Sequence, residues 1–253
     1  MVFASPLPDV EIPDVPLTEY VLAKAGALGD KPALIDGPSG RTITYAALAA
    51  GVRSLAGGLV ARGFSTGSTL ALMSPNIPEY AVIFHGVAMT GGTITTINPT
   101  YTEAEVHKQL LDSHASILVT IPMFLEVATK AAAGTEVTDV FVLGEAEGAR
   151  PVTELFGAPL AEQVPVQGDD VVVLPYSSGT TGVNKGVMLS HRNLVANVAQ
   201  VLGAADIRED ELFIAVLPFF HIYGMQVLMN TGLRAGATIV TMPRFLLEEF
   251  LRL

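Results

Sequence analysis

Short β-branched runs alternate with stretches of helical period along almost the whole chain, and this alternation limits the fold more than any other feature. A strand buried on both faces shows as a short unbroken apolar run. A helix packed on a sheet repeats its apolar positions at every third or fourth residue. The pattern predicts strands at "RTITY", "TLALMS", "GTITTINP", "ASILVT", "VTDVFVL", "VVVLPY", "GVMLS", "LFIAVLP" and "ATIVTM". Between them it predicts a helix carrying Leu48, Val52, Leu55 and Leu59 on one face, and another from Pro78 to Thr90. Thr102 and Glu105 form a Thr-x-x-Glu capping box that opens a helix carrying Val106 and Leu110. Further helices are expected after Pro122, from Arg192 to Gly203, and from Gly224. Such alternation packs as α/β layers, here αβαβα, with largely parallel sheets. A polar passage from Gly144 to Gly168 suggests a division into a first α/β subdomain with its lead-in, residues 1–165, and the start of a second, residues 166–253.

Composition removes several classes of function. Half of the 253 residues are hydrophobic and 15% are charged, which is the make-up of a chain that buries a core. The formal net charge of −11 argues against nucleic acid as a partner, because that binding is driven by Lys and Arg against phosphate. With no cysteine, disulfides, thiolate catalysis and Cys-ligated metals are excluded. The five histidines show no His-Glu-x-x-His spacing, so a protein-ligated zinc is not expected, and no metal-ligating residue is assigned in this chain. Leu212 to Leu233 lacks Asp, Glu, Lys and Arg, but Pro218, His221, Gly224, Gln226, Asn230 and Gly232 interrupt it, so no membrane span is expected. The N-terminus has no basic segment followed by an apolar one, so the expected compartment is the cytoplasm.

The strand "VVVLPY" runs into "SSGTTG", six consecutive residues that are Ser, Thr or Gly, and Lys185 follows. Small residues let backbone N–H groups approach a ligand closely, successive N–H groups form an anion-binding nest, and hydroxyls add donors. Together with a lysine, this suits a polyphosphate. A solvated Ser/Gly linker is the alternative, although linkers seldom sit between two apolar strands. The Walker A pattern fails, because Asn184 precedes the lysine and Gly186 follows it. The dinucleotide fingerprint fails for want of any Gly-x-Gly. "GFSTG" matches Gly-x-Ser-x-Gly, but a helix precedes it and a strand follows, the reverse of a nucleophile elbow, so Ser65 is read as a turn residue.

The stretch "YSSGTTGVNKGVMLSHRN" strongly resembles the phosphate-binding signature of the acyl-adenylate-forming enzymes: acyl-CoA synthetases, luciferases and adenylation domains. A second signature, "LPFFHIYG", follows at the expected place. The segment "SPNIPEYAVIFHGVAMTGGTITTINPTYTEAEVHKQL" is similar to the corresponding region of 4-coumarate–CoA ligases. The resemblance implies the N-terminal part of the large domain of such an enzyme. It also implies a two-step ligation in which a small carboxylic acid and ATP give an acyl-adenylate, and coenzyme A then takes the acyl group as a thioester. On the same ground Ser177, Ser178, Gly179, Thr180, Thr181 and Lys185 would hold the ATP phosphates, with Mg2+ ligated by residues outside this chain. His221 would stand beside the reacting carboxylate, the alternative being a packed core histidine. Tyr223 would line the acyl pocket, or simply pack in the core. Gln226 stands where relatives often carry Asn, which puts a hydroxycinnamate in doubt. Arg244 would contact coenzyme A, or be a solvated surface residue. Gly182 and Gly186 are read equally as turn geometry. Asn184 stands where the family usually has Pro, which would leave the loop looser.

A carrier-loading adenylation domain and a non-catalytic nucleotide-binding module are the rival readings. The family's motifs for adenine, ribose and the adenylating lysine are not recognisable in this chain, and "RFLLEEFLRL" ends in helical spacing without a stop signal. The expectation is therefore a fragment, inactive alone and prone to self-association through uncovered apolar surface.

Overall fold

The computed structural model describes residues 5–178 and 184–253. Two short helices, α1 (Leu17–Val21) and α2 (Ala25–Leu28), lead into the strand pair β1 (Pro32–Asp36) and β2 (Thr42–Thr44). α3 (Tyr45–Ala61) follows, opened by the Thr44 hydroxyl, which accepts the Ala47 N–H at 3.1 Å. Then come β3 (Thr69–Met73), α4 (Glu79–Met89), β4 (Thr93–Ile97), α5 (Glu103–Asp112), β5 (Ala115–Thr120), α6 (Leu125–Ala132), β6 (Asp139–Val142) and β7 (Arg150–Pro151). The remaining elements are β8 (Val171–Ser178), β9 (Asn184–Gly186), β10 (Leu189–Ser190), α7 (His191–Ala204) and β11 (Leu212–Ala215). A π-helical segment (Gly224–Asn230) runs into α8 (Thr231–Ala235), and β12 (Thr238–Thr241) and α9 (Leu247–Arg252) complete the described chain.

The strands form two sheets. The larger has the order β10-β8-β4-β3-β5-β6-β7, with β9 paired to β8. From β8 to β7 every pairing is parallel, whereas β9 and β10 run antiparallel to β8. The smaller sheet has the order β11-β12-β1-β2, parallel except for β2. The expected layered α/β architecture with largely parallel sheets is thus what the chain forms. Each sheet takes strands from both sides of residue 165, since β8 joins β4 and β1 joins β12, so strand pairing draws no boundary there.

Packing follows the periodicities. Leu48, Val52, Leu55 and Leu59 of α3 are all buried, as their spacing requires, each worth about 1.5–3 kcal/mol. α3 and α4 lie in the main core, on one face of the larger sheet. Val106 and Leu110 of α5 and Ala128 and Ala131 of α6 close a second cluster, with Ala71, Met73 and Leu118. Helices therefore cover both faces, as a parallel sheet demands. The Thr102–Glu105 capping box is present, with the carboxylate accepting the Thr102 N–H at 2.8 Å. The expected strand "GVMLS" is divided: Gly186 ends β9, Leu189 and Ser190 form β10, and Val187 and Met188 between them are exposed. Ser65 sits in the turn between α3 and β3, its carbonyl accepting the Ser68 N–H at 2.9 Å.

Two histidines are interior groups. His85 on α4 is fully buried, with Nδ1 3.2 Å from the Thr18 hydroxyl, and burial pushes its pKa down to about 3. His191, the first residue of α7, accepts the Leu17 N–H on Nδ1 at 3.1 Å and ties α1 to α7. Burial pushes its pKa down to about 4.

Candidate active site

An open parallel sheet binds ligands where neighbouring strands send their chains to opposite faces, beyond the carboxyl ends. That switch lies between β3 and β4: β3 leads to α4 on one face and β4 to α5 on the other. A cleft of about 580 Å³ opens at the carboxyl ends of β4 and its neighbour β8. Tyr101 and Glu105 contribute from the β4–α5 side, Tyr176 and Ser177 from β8, and Phe220 and His221 from the segment after β11.

β8 continues through Ser178 and is paired with β9, Tyr176 opposite Gly186 and Ser177 opposite Lys185. β8 and β9 therefore form the two arms of a hairpin. Ser177 lines the cleft, and Ser178 ends the strand. Gly179, Thr180, Thr181 and Gly182 lie outside the described residues. Lys185 is exposed and borders a second cleft of about 410 Å³, over α5, with Lys108 and Asp112. The two clefts share Glu105, Tyr176 and Asn184. Gly186 has a packing reason: a Cβ there would stand 3.1 Å from the Tyr176 ring.

Asn184 does not leave the return strand loose, because its side-chain amide donates to the Tyr101 hydroxyl at 3.0 Å and fastens β9 to the β4–α5 connection. Tyr176 donates to the Asp112 carboxylate at 2.5 Å; burial, then this acidic partner, push its phenol up. Burial and the nearby Glu105 likewise raise Tyr101.

His221 is exposed on the cleft wall, so it is not a core histidine. Its Nδ1 accepts the Tyr223 N–H at 3.3 Å, which in the neutral ring puts the proton on Nε2. The loop turns tightly at Gly224, where a Cβ would lie 2.2 Å from the Pro218 carbonyl oxygen. Tyr223 is half exposed and outside the cleft lining. Gln226 is turned into the protein: 2% exposed, it donates to the Leu194 carbonyl on α7 at 3.0 Å and accepts from Asn230 at 2.5 Å. Arg244 is exposed beyond β12 and makes no ion pair among the described residues. The structure thus brings Ser177 and His221 to one cleft and sets Lys185 over its neighbour. Tyr101, Glu105 and Tyr176 join them without having been singled out as site residues. Tyr101 carries no signature of its own in the sequence, and Glu105 reads there only as the capping partner of Thr102.

The family model described as AMP-binding enzyme matches residues 22–252. The chain belongs to the AMP-binding enzyme family. It is 41% identical over 260 residues to 4-coumarate–CoA ligase 5 of Oryza sativa subsp. japonica, covering 100% of this chain and 48% of that protein. It is 38% identical to 4-coumarate–CoA ligase 1 of Petroselinum crispum over the same shares. A long-chain-fatty-acid–CoA ligase from Archaeoglobus fulgidus superposes with a TM-score of 0.88 at 27% identity, covering 97% of this chain and 50% of that one. The chain spans about half the length of the curated relatives it matches. Among the described residues no helix is long and apolar enough to cross a membrane.

Proposed function

We propose that this AMP-binding chain carries the phosphate-loop part of an ATP-dependent carboxylate–CoA ligase. The observation that carries the reading is the meeting of Ser177, near the end of β8, with His221 on one cleft at the carboxyl ends of β4 and β8. In the first step a carboxylate oxygen attacks the α-phosphorus of ATP, the bond to the bridging oxygen breaks, and pyrophosphate leaves. The product is an acyl-adenylate, a mixed anhydride with a good leaving group. In the second step the coenzyme A sulfur, having lost its proton, attacks the acyl carbon; AMP leaves and a thioester remains. The protein's part is positioning and electrostatic stabilisation. Ser177, Ser178, Gly179, Thr180, Thr181 and Lys185 hold the phosphates. The His221 Nε2–H donates to the carboxylate and aims it. Tyr223 and Arg244 serve the acyl group and coenzyme A. For Gln226 the reading changes to a structural tie between the π-helical segment and α7, which removes its weight against a hydroxycinnamate. Aromatic and aliphatic walls at Tyr101, Val187, Phe220 and Ile222 favour an aromatic acid, as do the relatives named for 4-coumarate. Among the described residues no three His, Asp or Glu side chains gather to hold a metal, so no step is assigned to a metal bound by this chain. The cytoplasm is the working compartment in this reading.

The test is carboxylate-dependent exchange of labelled pyrophosphate into ATP, with the protein as its host makes it. Exchange is expected with an aromatic acid, and its absence across a broad acid panel while ATP still binds would sink the reading. Lys185→Ala removes charge-assisted hydrogen bonds worth about 1.5–3 kcal/mol, so exchange should fall by about 10- to 150-fold. Because Lys185 is exposed, the melting temperature should hardly move. A large loss of stability with normal exchange would assign Lys185 to the fold instead.

A further inference from the structure

His221 is held by the backbone rather than by its ring, whose one hydrogen-bond partner among the described residues is the Tyr223 N–H. Its segment leaves β11, a strand of the smaller sheet, whereas Ser177 stands on β8 of the larger one. Something must fix the first sheet's segment against the second sheet's strand ends. Two side chains do so. Asn76, in the β3–α4 connection between Pro75 and Pro78, is 3% exposed. Its Nδ2 donates to the carbonyls of Ala215 at 2.9 Å and Leu217 at 2.8 Å, and its Oδ1 accepts the Phe219 N–H at 2.7 Å. Both amide hydrogens and the oxygen are thus spent on the five residues that lead to His221. Thr96, 2% exposed near the end of β4, donates from Oγ1 to the Phe220 carbonyl at 2.9 Å, one residue before His221.

We propose that Asn76 and Thr96 are positioning residues that lash the His221 segment to the ends of β3 and β4 and so set the His221 ring relative to Ser177. The catalytic consequence rests on the carboxylate-directing role proposed for His221; the mechanical one does not. The carbonyls and N–H that Asn76 satisfies are buried backbone groups, and an unpaired one shifts to find a partner. A displacement of about 1 Å at a positioned group can cost about 100-fold in rate.

The deciding variants are Thr96→Val, which keeps the shape and removes the hydroxyl, and Thr96→Ser, which restores it. Histidine side-chain nitrogen spectra of the protein as its host makes it, with the His221 signal assigned from His221→Gln, read the ring directly and need no activity. Thr96→Val should move the His221 signal and leave those of His85 and His191 in place, and Thr96→Ser should bring it back. In pyrophosphate exchange Thr96→Val should lower kcat at least tenfold with the KM for ATP within twofold, again restored by Thr96→Ser. Asn76→Asp, which keeps the acceptor and loses both donors, should lower kcat further and reduce stability as well. A Thr96→Val protein with the His221 signal and kcat of wild type would overturn the proposal, and so would a loss confined to the KM for ATP. A wild-type protein without exchange would sink the ligase reading alone, and the spectra would still decide the clamp.

Discussion

Lowering the pH from 7 to 4.5 should remove about 5 kcal/mol of folding stability through His85 and His191 alone. Both are buried neutral, with folded pKa values near 3 and 4 against about 6.5 in the unfolded chain. Above pH 6.5 neither state binds the proton and the contribution is complete. Below it the unfolded chain takes up two protons that the folded chain refuses. Stability is then lost at about 1.4 kcal/mol per pH unit for each ring, until the pH reaches the folded values. Against a total of about 5–15 kcal/mol, such a loss is decisive. Urea midpoints measured from pH 7 to 4.5 would show the slope. His191→Asn keeps an acceptor near Nδ1 for the Leu17 N–H and should flatten the slope by about half, as should His85→Asn. A slope unchanged in both variants would mean that exposed carboxylates such as Glu105, held low by its hydrogen bonds to Thr102, govern acid unfolding instead.

Gly224→Ala should be the most damaging single methyl in the candidate site. The added carbon would stand 2.2 Å from the Pro218 oxygen and 2.7 Å from the Leu217 oxygen, both backbone atoms. Leu217 is itself gripped by Asn76, so the loop cannot step aside without breaking that bond. Overpacking against fixed backbone costs about 3 kcal/mol. The displaced loop carries His221, so exchange should also fall by about 100-fold. Gly26→Ala is the control: it lies in helix α2 with nothing within 4 Å, and should be neutral or stabilising by up to about 1 kcal/mol. A Gly224→Ala protein of wild-type stability and turnover would show that the turn relaxes more easily than its geometry implies.

The parallel core was legible because its strands carry their own signal. β3 is buried at every position, and a run such as "TLALM" has no other comfortable setting. The helices were legible from spacing and caps, as at Thr102 and Glu105. Elements whose partners are distant were not. β1, "PALID", begins with Pro and ends with Asp, so only three residues speak for a strand, and what makes it one is β12. β9, "NKG", has no strand propensity at all and exists because Tyr176 to Ser178 offer it a ladder. In the candidate site, the Ser/Thr/Gly run and His221 stand out in the sequence because each lies in a recognisable signature. Asn76 does not, since an Asn between two prolines reads as a turn. Only the fold shows that its amide faces three backbone groups at Ala215, Leu217 and Phe219.

The pairing of Leu34 with Ile239 has a further consequence, for the order in which the molecule is made. Closing a loop of that length costs chain entropy before any contact repays it, and folds rich in such contacts form slowly. On the ribosome the larger sheet can assemble from β3 to β7 while β1 and β2 wait for residues 238–241 to emerge. At about 5–20 residues per second, the roughly 200 residues between them take on the order of 10–40 seconds to appear. For that time the apolar side of β1 has no parallel neighbour. The nascent chain is then a client for chaperones, and a misfolding step would strike the smaller sheet first.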